Sequence, residues 1–258
     1  MRDDQLVGVL KNHYRKNKRT LMLPLMQMEN DPVELLQDLD PADYRWVLEM
    51  DEDTGEVDTV DYSDKIVDMI NSLGVSKKRM RALRLVEDIV RAGRPVIVWC
   101  VFRESMRDLS RDLKRRGIEA REVYGDVDVD DRSQILDDFR AGKFPVLITN
   151  PHTLAESVSL HSVCHDAVYY EYSFNLVHLL QSKDRIHRLG LPAGQKTRYY
   201  FLWEEYGGDK AWSLDCEIYK RLRMKEETML RAIDADLIET QPTTEEDLEA
   251  IFAGLFDE

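Results

Sequence analysis

Residues 93–125, GRPVIVWCVFRESMRDLSRDLKRRGIEAREVYG, hold a strand, a helix and a second strand, and their reading decides the fold. The run from Pro95 to Phe102 is apolar without alternation and rich in β-branched and aromatic residues. A half-exposed strand alternates apolar and polar residues. A short continuous apolar run predicts a strand covered on both faces, as in parallel sheets. RESMRDLSRDLKRR then takes helical spacing and stops at Gly117, a residue that accepts the left-handed backbone at a helix end. IEAREVY returns to a strand.

The same alternation extends in both directions. Upstream, SKKRMRALRLVEDIVRAG predicts a helix with Met80, Leu83, Val86 and Val90 on its inner face, ending on Gly93. Downstream come a helix (DDRSQILDDFRAG), a strand (PVLIT), a helix or ordered loop (NPHTLAESVSL) and a strand (AVYYEY). A helix over NLVHLLQSKDRIHRL, closed by Gly190 and Pro192, and a last strand, KTRYYFLW, complete the series. Short apolar strands alternating with helices mean parallel βαβ crossovers and an α/β fold.

The flanks read differently. LVGVLKNHYRKNKR is an amphipathic helix, and LMLPLMQMENDPVELL is helical but interrupted at Pro24 and Pro32. Residues 40–64 are acidic, carry the turn signal DEDTG and read as a loop or small hairpin. LDCEIYKRLRMKEETMLRAI predicts one long helix. In TTEEDLEAIFAGLF either Thr243 with Glu246 or Thr244 with Asp247 forms a capping box. Leu248, Ile251, Phe252 and Leu255 then share a face that docks on another surface. The organisation expected is a helical N-terminal extension with an acidic loop (1–75), an α/β lobe (76–203) and a C-terminal helical extension with an acidic tail (204–258).

Composition narrows the class. Hydrophobic residues at 43% and charged residues at 33% suit a soluble globular chain, and the longest apolar run is far short of the ~20 residues of a membrane span. The first residues hold no signal-peptide core, so an intracellular protein without a membrane partner is expected. Cys100, Cys164 and Cys216 lie far apart, which argues against a disulfide framework. The net charge of -14 is unevenly spread: residues 29–64 carry -13, residues 234–258 carry -9, and the remainder is +8. The α/β part is therefore basic, the distribution a phosphate-backbone partner requires, although ordinary solvated surface reads the same way.

The chemistry concentrates in QSKDRIHRLGL, residues 181–191. On a continuous helix Gln181, Arg185 and Arg188 fall at i, i+4 and i+7 and leave one face, with Asp184 a turn before Arg188 to fork its guanidinium. Two arginines fixed beside a glutamine match what a polyphosphate needs as charge develops on its leaving phosphoryl group. The segment resembles motif VI of the Swi/Snf-like superfamily 2 helicases, Q-x-x-D-R-x-H-R-x-G, matched at six positions in order. The resemblance continues in the family's order through LMLPLMQMENDPVEL (21–35), SKKRMRALRLVEDIV (76–90), PVIVWCVFRESMRDLSRDL (95–113) and VYGDVDVDDRSQILDDF (123–139). The last carries Tyr124, Gly125, Arg132 and Phe139 at the family's positions. VLITNPHTLAESVSLHSVCHDAVYYEYSFN (146–175) occupies the place of motif V. The wording of 158–165 and 181–190 is similar to prokaryotic and phage members.

The resemblance implies a RecA-like parallel sheet flanked by helices, forming the C-terminal lobe of an ATP-driven double-stranded-DNA translocase. It implies arginine fingers at Arg188 and Arg185 with Gln181 beside them, and a nucleotide contact set of Arg185, Arg188, Asp184 and Glu156. DNA contacts would come from Phe102, Arg103, Ser105, Tyr124, Gly125, Thr149, Asn150 and His152. ATP and magnesium would sit mainly on a partner N-terminal RecA-like lobe, in the same longer chain or a separate polypeptide, in the cytoplasm of a prokaryotic or phage-infected cell. Neither G-x-x-x-x-G-K-[ST] nor a DExH tetrad after an apolar strand occurs in the sequence, so the chain alone is expected to be inactive. Asn150-Pro151 reads as a helix N-cap whose amides suit a phosphate. Motif V here has Leu154, Ala155, Glu156, Ser157 and Ser159 where the family has glycines. That loss of backbone freedom favours the alternative reading, a DNA- or protein-binding module without ATPase. Two other patterns carry less. AGQKT (193–197) lacks the first glycine of a phosphate loop and precedes a strand. His161, Cys164 and His165 lack a fourth zinc ligand, and no metal site is expected.

Overall fold

The computed structural model describes residues 2–13, 18–37, 62–154, 158–188, 191–205, 212–235 and 242–256. They form two units. One comprises Lys77–Tyr172 and Val177–Leu202; the other comprises Met1–Ser76, Ser173–Leu176 and Trp203–Glu258.

The first unit is built on five parallel strands: β1 (Val96–Trp99), β2 (Ala120–Val123), β3 (Val146–Thr149), β4 (Asp166–Tyr169) and β5 (Arg198–Phe201), in the order β2-β3-β1-β4-β5. Val96 lies opposite Val146 on one side and Asp166 on the other. The three inner strands are buried throughout, as their unalternating sequence predicts, and the edge strands β2 and β5 are half-covered. Within this unit lie α4 (Lys77–Arg91), α5 (Arg103–Arg115), α6 (Val129–Arg140) and most of α7 (Leu176–Asp184). Both α4 and α5 end as expected, with Gly93 and Gly117 at φ near +70° and the next amide reaching back to Ile89 and Leu113. This is the RecA-like lobe that the alternation predicts.

One face of the sheet, with Val96, Val98, Cys100, Val146, Ile148 and Val168, packs on Ala82, Leu83, Val86 and Ile89 of α4 and on Met106, Leu109 and Leu113 of α5. The inner face of α4 differs from the expected one. Met80 is exposed and Val90 only half-buried, because Ala82 and Ile89 lie closer to the middle of the stripe that includes Leu83 and Val86. The buried Arg79 on the same helix donates to Asp108 at 2.5 Å and to Asp112 at 2.6 Å, tying α4 to α5. On the opposite sheet face the Tyr169 ring stacks on Phe201 at 4.4 Å, and its hydroxyl shares a 2.7 Å hydrogen bond with Ser182 of α7.

The second unit joins both ends of the chain: α1 (Arg2–His13), α2 (Lys18–Asn30), a 3-10 turn (Pro32–Leu36), α3 (Asp64–Asn71), α8 (Leu214–Ala235) and α9 (Thr244–Phe256). The expected break at Pro24 is absent, since α2 runs straight through it. An interior proline costs about 3 kcal/mol. Leu21, Met22, Leu23, Leu25, Met26 and Met28 are all buried here, each contributing about 1.5–3 kcal/mol, so packing outweighs the lost hydrogen bond. The second proline does mark a boundary: Asp31 caps the 3-10 turn through the Val33 amide and Pro32 opens it. Glu29, fully buried on α2, accepts the Leu214 and Asp215 amides at 2.6 and 2.9 Å and so caps α8. Of the two possible capping boxes, Thr243 with Glu246 forms, with reciprocal bonds of 3.3 and 2.7 Å. Leu248, Ile251, Phe252 and Leu255 are buried, and α9 docks on α8 and α2.

The expected acidic loop lies outside the described residues from 40 to 61. No helix among the described residues is long and apolar enough to cross a membrane.

Candidate nucleotide and nucleic-acid site

In a parallel sheet every strand ends on the same edge, where such folds bind ligands. Here that edge gathers residues 100–105 after β1, 124–128 after β2, 149–154 after β3 and 170–172 after β4. The chain leaves β1 towards β2 on one side and leaves β4 towards β5 on the other, so the crevice opens between β1 and β4.

Glu171 fills that crevice. Its buried carboxylate oxygen accepts the Val101 amide at 2.6 Å and the Phe102 amide at 2.8 Å, at the start of α5. Burial pushes the carboxyl up to about 7, against the opposing pull of Ser105, the two amides and Lys78. Lys78 is itself buried, with its ammonium 5.2 Å from the centre of the Tyr170 ring. The helix terminus that would attract a ligand phosphate thus already holds an anion from its own chain. The sequence reading missed this pair. Its one signal was an acid at the end of the apolar run AVYYEY, which a buried strand tolerates only with partners.

Several residues expected at the nucleic-acid contact turn inward. Phe102, Ser105 and Thr149 are buried, and the Thr149 hydroxyl donates to the Val123 carbonyl at 2.7 Å, joining β3 to β2. None of the three presents a side chain to a ligand, because the strand ends they occupy are closed by the neighbouring chain. The others line the edge. Arg103 pairs with Asp126 and lies over the Tyr124 ring at 5.8 Å, and Arg107 lies over the same ring at 5.7 Å. A hydrogen bond to Tyr124, with a smaller one to Glu104, raises the Arg107 pKa further. Gly125 is exposed, and its carbonyl accepts Arg132, which also holds the Val127 carbonyl and shapes the loop before α6. His152 is exposed. Asn150 accepts the Thr153 amide at 2.8 Å, as a cap does, but 151–154 form a turn where a helix was expected. Glu156 lies outside the described residues.

The motif-VI segment sits near the opposite edge, and its geometry corrects the single-face arrangement. Helix α7 ends at Asp184, not at residue 189. The last turn tightens: the Arg185 and Ile186 amides reach three residues back, and the Arg185 carbonyl leaves the helical ladder to accept the Leu160 amide at 2.8 Å. Gln181 is half-buried on the last helical turn. Arg185 is 7% exposed and donates to the Val158 carbonyl at 3.2 Å, whereas Arg188 is exposed. Burial, then the Arg188 charge, lowers the Arg185 pKa, and Asp184 opposes this. Asp184 is exposed, and the expected fork to Arg188 is not among the ion pairs of the described residues. From β5, Thr197 meets His187 at 3.2 Å and the Tyr199 hydroxyl donates to the Lys183 carbonyl.

The His161, Cys164 and His165 cluster does not suit a metal. The Cys164 thiol, pushed up to about 12 by burial, points to the Pro95 and Asp166 carbonyls, and the His161 ring meets the Ser159 hydroxyl. No group of three or more metal-ligating side chains occurs among the described residues.

Residues 78–190 match the helicase conserved C-terminal domain. The lobe is similar over 130 residues, at 25% identity, to the ATP-dependent RNA helicase dbp2 of Neurospora crassa, covering 49% of this chain and 22% of the relative. DEAD-box ATP-dependent RNA helicase 20 of Arabidopsis thaliana is 29% identical over 140 residues, covering 53% of this chain and 26% of the relative. The chain thus spans about a quarter of the length of these curated relatives. Among solved structures, the C-terminal part of the Fun30 ATPase domain superposes with a TM-score of 0.50 at 19% identity, covering 74% of this chain and 60% of that one. The β1–β5 unit is a helicase C-terminal lobe of RecA-like fold.

Proposed function

We propose that this chain is the C-terminal half of an ATP-driven nucleic-acid motor, acting on double-stranded DNA and completed by an N-terminal RecA-like lobe that holds ATP and magnesium. The observation that carries this reading is Arg188: an exposed guanidinium on a turn braced by Val158, Leu160 and Thr197, within a helicase lobe. Hydrolysis transfers the γ-phosphoryl group to water and releases ADP and phosphate, with negative charge to be neutralised on the moving oxygens. Arg188 supplies that neutralisation across the interlobe gap, and Gln181 orients groups beside it. The strand-end edge, with Arg103, Tyr124, Gly125, Asn150 and His152, holds the phosphate backbone, which makes binding salt-sensitive and tolerant of base sequence.

Double-stranded DNA follows from the Asp184 and His187 signature of motif VI, and with it a Swi/Snf-like motor of prokaryotic or phage kind working in the cytoplasm. The curated relatives favour RNA as a second reading, since those above are named RNA helicases. Supplying the cognate first lobe and measuring ATP hydrolysis with duplex DNA or with RNA separates the two. DNA-stimulated turnover that disappears in Arg188→Ala is the expected outcome. Stimulation by RNA alone replaces the DNA reading, and undiminished turnover by the alanine variant removes the motor reading.

A further inference from the structure

Burial separates the two arginines of the motif-VI segment. Arg188 is exposed, while Arg185 lies three residues earlier, almost wholly buried, and donates to the Val158 carbonyl. The main chain makes the same connection in reverse, from the Leu160 amide to the Arg185 carbonyl. Two hydrogen bonds therefore cross between the same two stretches of chain, one through a charged side chain and one through the backbone.

The stretch that Arg185 grips is informative. Residues 150–165 leave β3 at the strand-end edge and must return to the opposite edge, where β4 begins at Asp166. With four residues per strand the two edges are about 13 Å apart. Asn150 and His152 stand at one end of this connection, and Val158 and Leu160 at the other. One covalent segment thus leads from the nucleic-acid edge to the base of the turn that presents Arg188. His187, fixed to Thr197, holds the other side of that turn to β5, so Arg185 is its link to the segment from β3.

We propose that Arg185 is a positioning residue, which ties the 150–160 segment to the Arg188 turn so that occupation of the strand-end edge by a phosphate backbone alters the placement of Arg188. The inference rests on the motor reading for its consequence and on the two hydrogen bonds for its mechanism. Energetic coupling of this kind needs an element that both sites bias, and residues 158–160 with 185–188 form that element.

The test uses the full chain, with Arg185→Ala, Arg185→Lys and Arg188→Ala. Amide hydrogen exchange is followed in segments 158–163 and 185–188, with and without a short DNA duplex. In the unaltered chain the duplex slows exchange in both segments. In Arg185→Ala, exchange of 158–163 rises by about tenfold, the loss of one charge-assisted hydrogen bond, and duplex protection no longer reaches 185–188. Arg185→Lys, which can still donate to Val158, recovers part of that protection, and Arg188→Ala leaves it intact. With the first lobe added, Arg185→Ala abolishes stimulation of kcat by nucleic acid while the KM for ATP and the unstimulated kcat stay within about twofold. Arg188→Ala lowers kcat by about 10³ or more under both conditions.

Several results overturn the proposal: unchanged exchange in Arg185→Ala, duplex protection of 185–188 that survives the substitution, or equal loss of basal and stimulated kcat with a raised KM, which makes Arg185 a direct phosphate contact. Absence of any ATPase in the unaltered pair defeats the motor reading alone, because the exchange comparison still decides the tie. A duplex that protects neither segment defeats both.

Discussion

Glu171 in the sheet unit and Glu29 in the helical unit make the same local structure with different consequences. Each is a buried carboxylate that accepts two consecutive amides at the start of a helix, α5 in one case and α8 in the other. Glu29 fastens two segments 185 residues apart and helps to hold the chain ends in one unit. Glu171 lies at the crevice between β1 and β4, where an open α/β sheet ordinarily receives a ligand. One carboxylate staples; the other occupies a place that could have bound an anion. Phosphate chemistry on this face is left to the cations around the crevice. The difference teaches that a helix terminus gains its role from what surrounds it, and that function concentrates in the sheet unit while the helical unit buries its charges.

The largest effect that sharpens this contrast is catalytic. Arg188→Ala in the sheet unit is expected to lower ATP turnover with a first lobe by about 10³–10⁵ while the melting temperature stays unchanged. A parallel loss of thermal stability places Arg188 among structural residues instead. Next is a stability effect in the helical unit. Asp247, 1% exposed, pairs with Arg221 at 2.5 Å and with Lys225, which also donates to the Phe174 carbonyl. Asp247→Ala leaves a buried lysine without its carboxylate and is expected to cost about 3–5 kcal/mol in chemical denaturation. A loss under 1 kcal/mol shows that the pair is hydrated in solution.

A smaller effect comes from Glu171→Gln. Both amides bond to a single carboxylate oxygen, so the glutamine oxygen can accept both, and only the charge opposite Lys78 is removed. Because burial raises the folded-state pKa to about 7, the folded chain holds this proton more tightly than the unfolded one. Its contribution to stability is then present at pH 4 and declines as pH rises towards 7. Denaturation curves across that window are expected to lose part of their slope in Glu171→Gln. An identical slope assigns the pH dependence to other groups. The smallest effect is local: Thr243→Ala removes the capping box of α9 and is expected to cost about 1 kcal/mol, read as a lowered denaturation midpoint.

The strand pattern was legible because it is local. Val96–Trp99 and Val146–Thr149 are apolar at every position, and nothing but a doubly covered strand suits such a run in a chain this charged. The α9 face and its Thr243 cap were equally legible, since each depends on spacings of three or four residues. The site was only partly so. The spacing of Gln181, Arg185 and Arg188 assumed a continuous helix, and the helix stops because the Leu160 amide, far away in sequence, claims the Arg185 carbonyl. Phe102, Ser105 and Thr149 sit at strand ends as expected, yet their side chains turn inward towards neighbours that no local pattern reveals.

By itself the sequence determined the parallel α/β alternation, the helix ends at Gly93 and Gly117, and the motif-VI residues that point to a helicase lobe, because periodicity, turn chemistry and residue identity act over a few positions. Only the tertiary structure decided that α2 passes through Pro24, that Glu29 and Glu171 each close a helix terminus, and that Arg185 is held inside while Arg188 faces out. Those outcomes rest on burial and on hydrogen bonds between segments far apart along the chain, and folding alone brings such partners together.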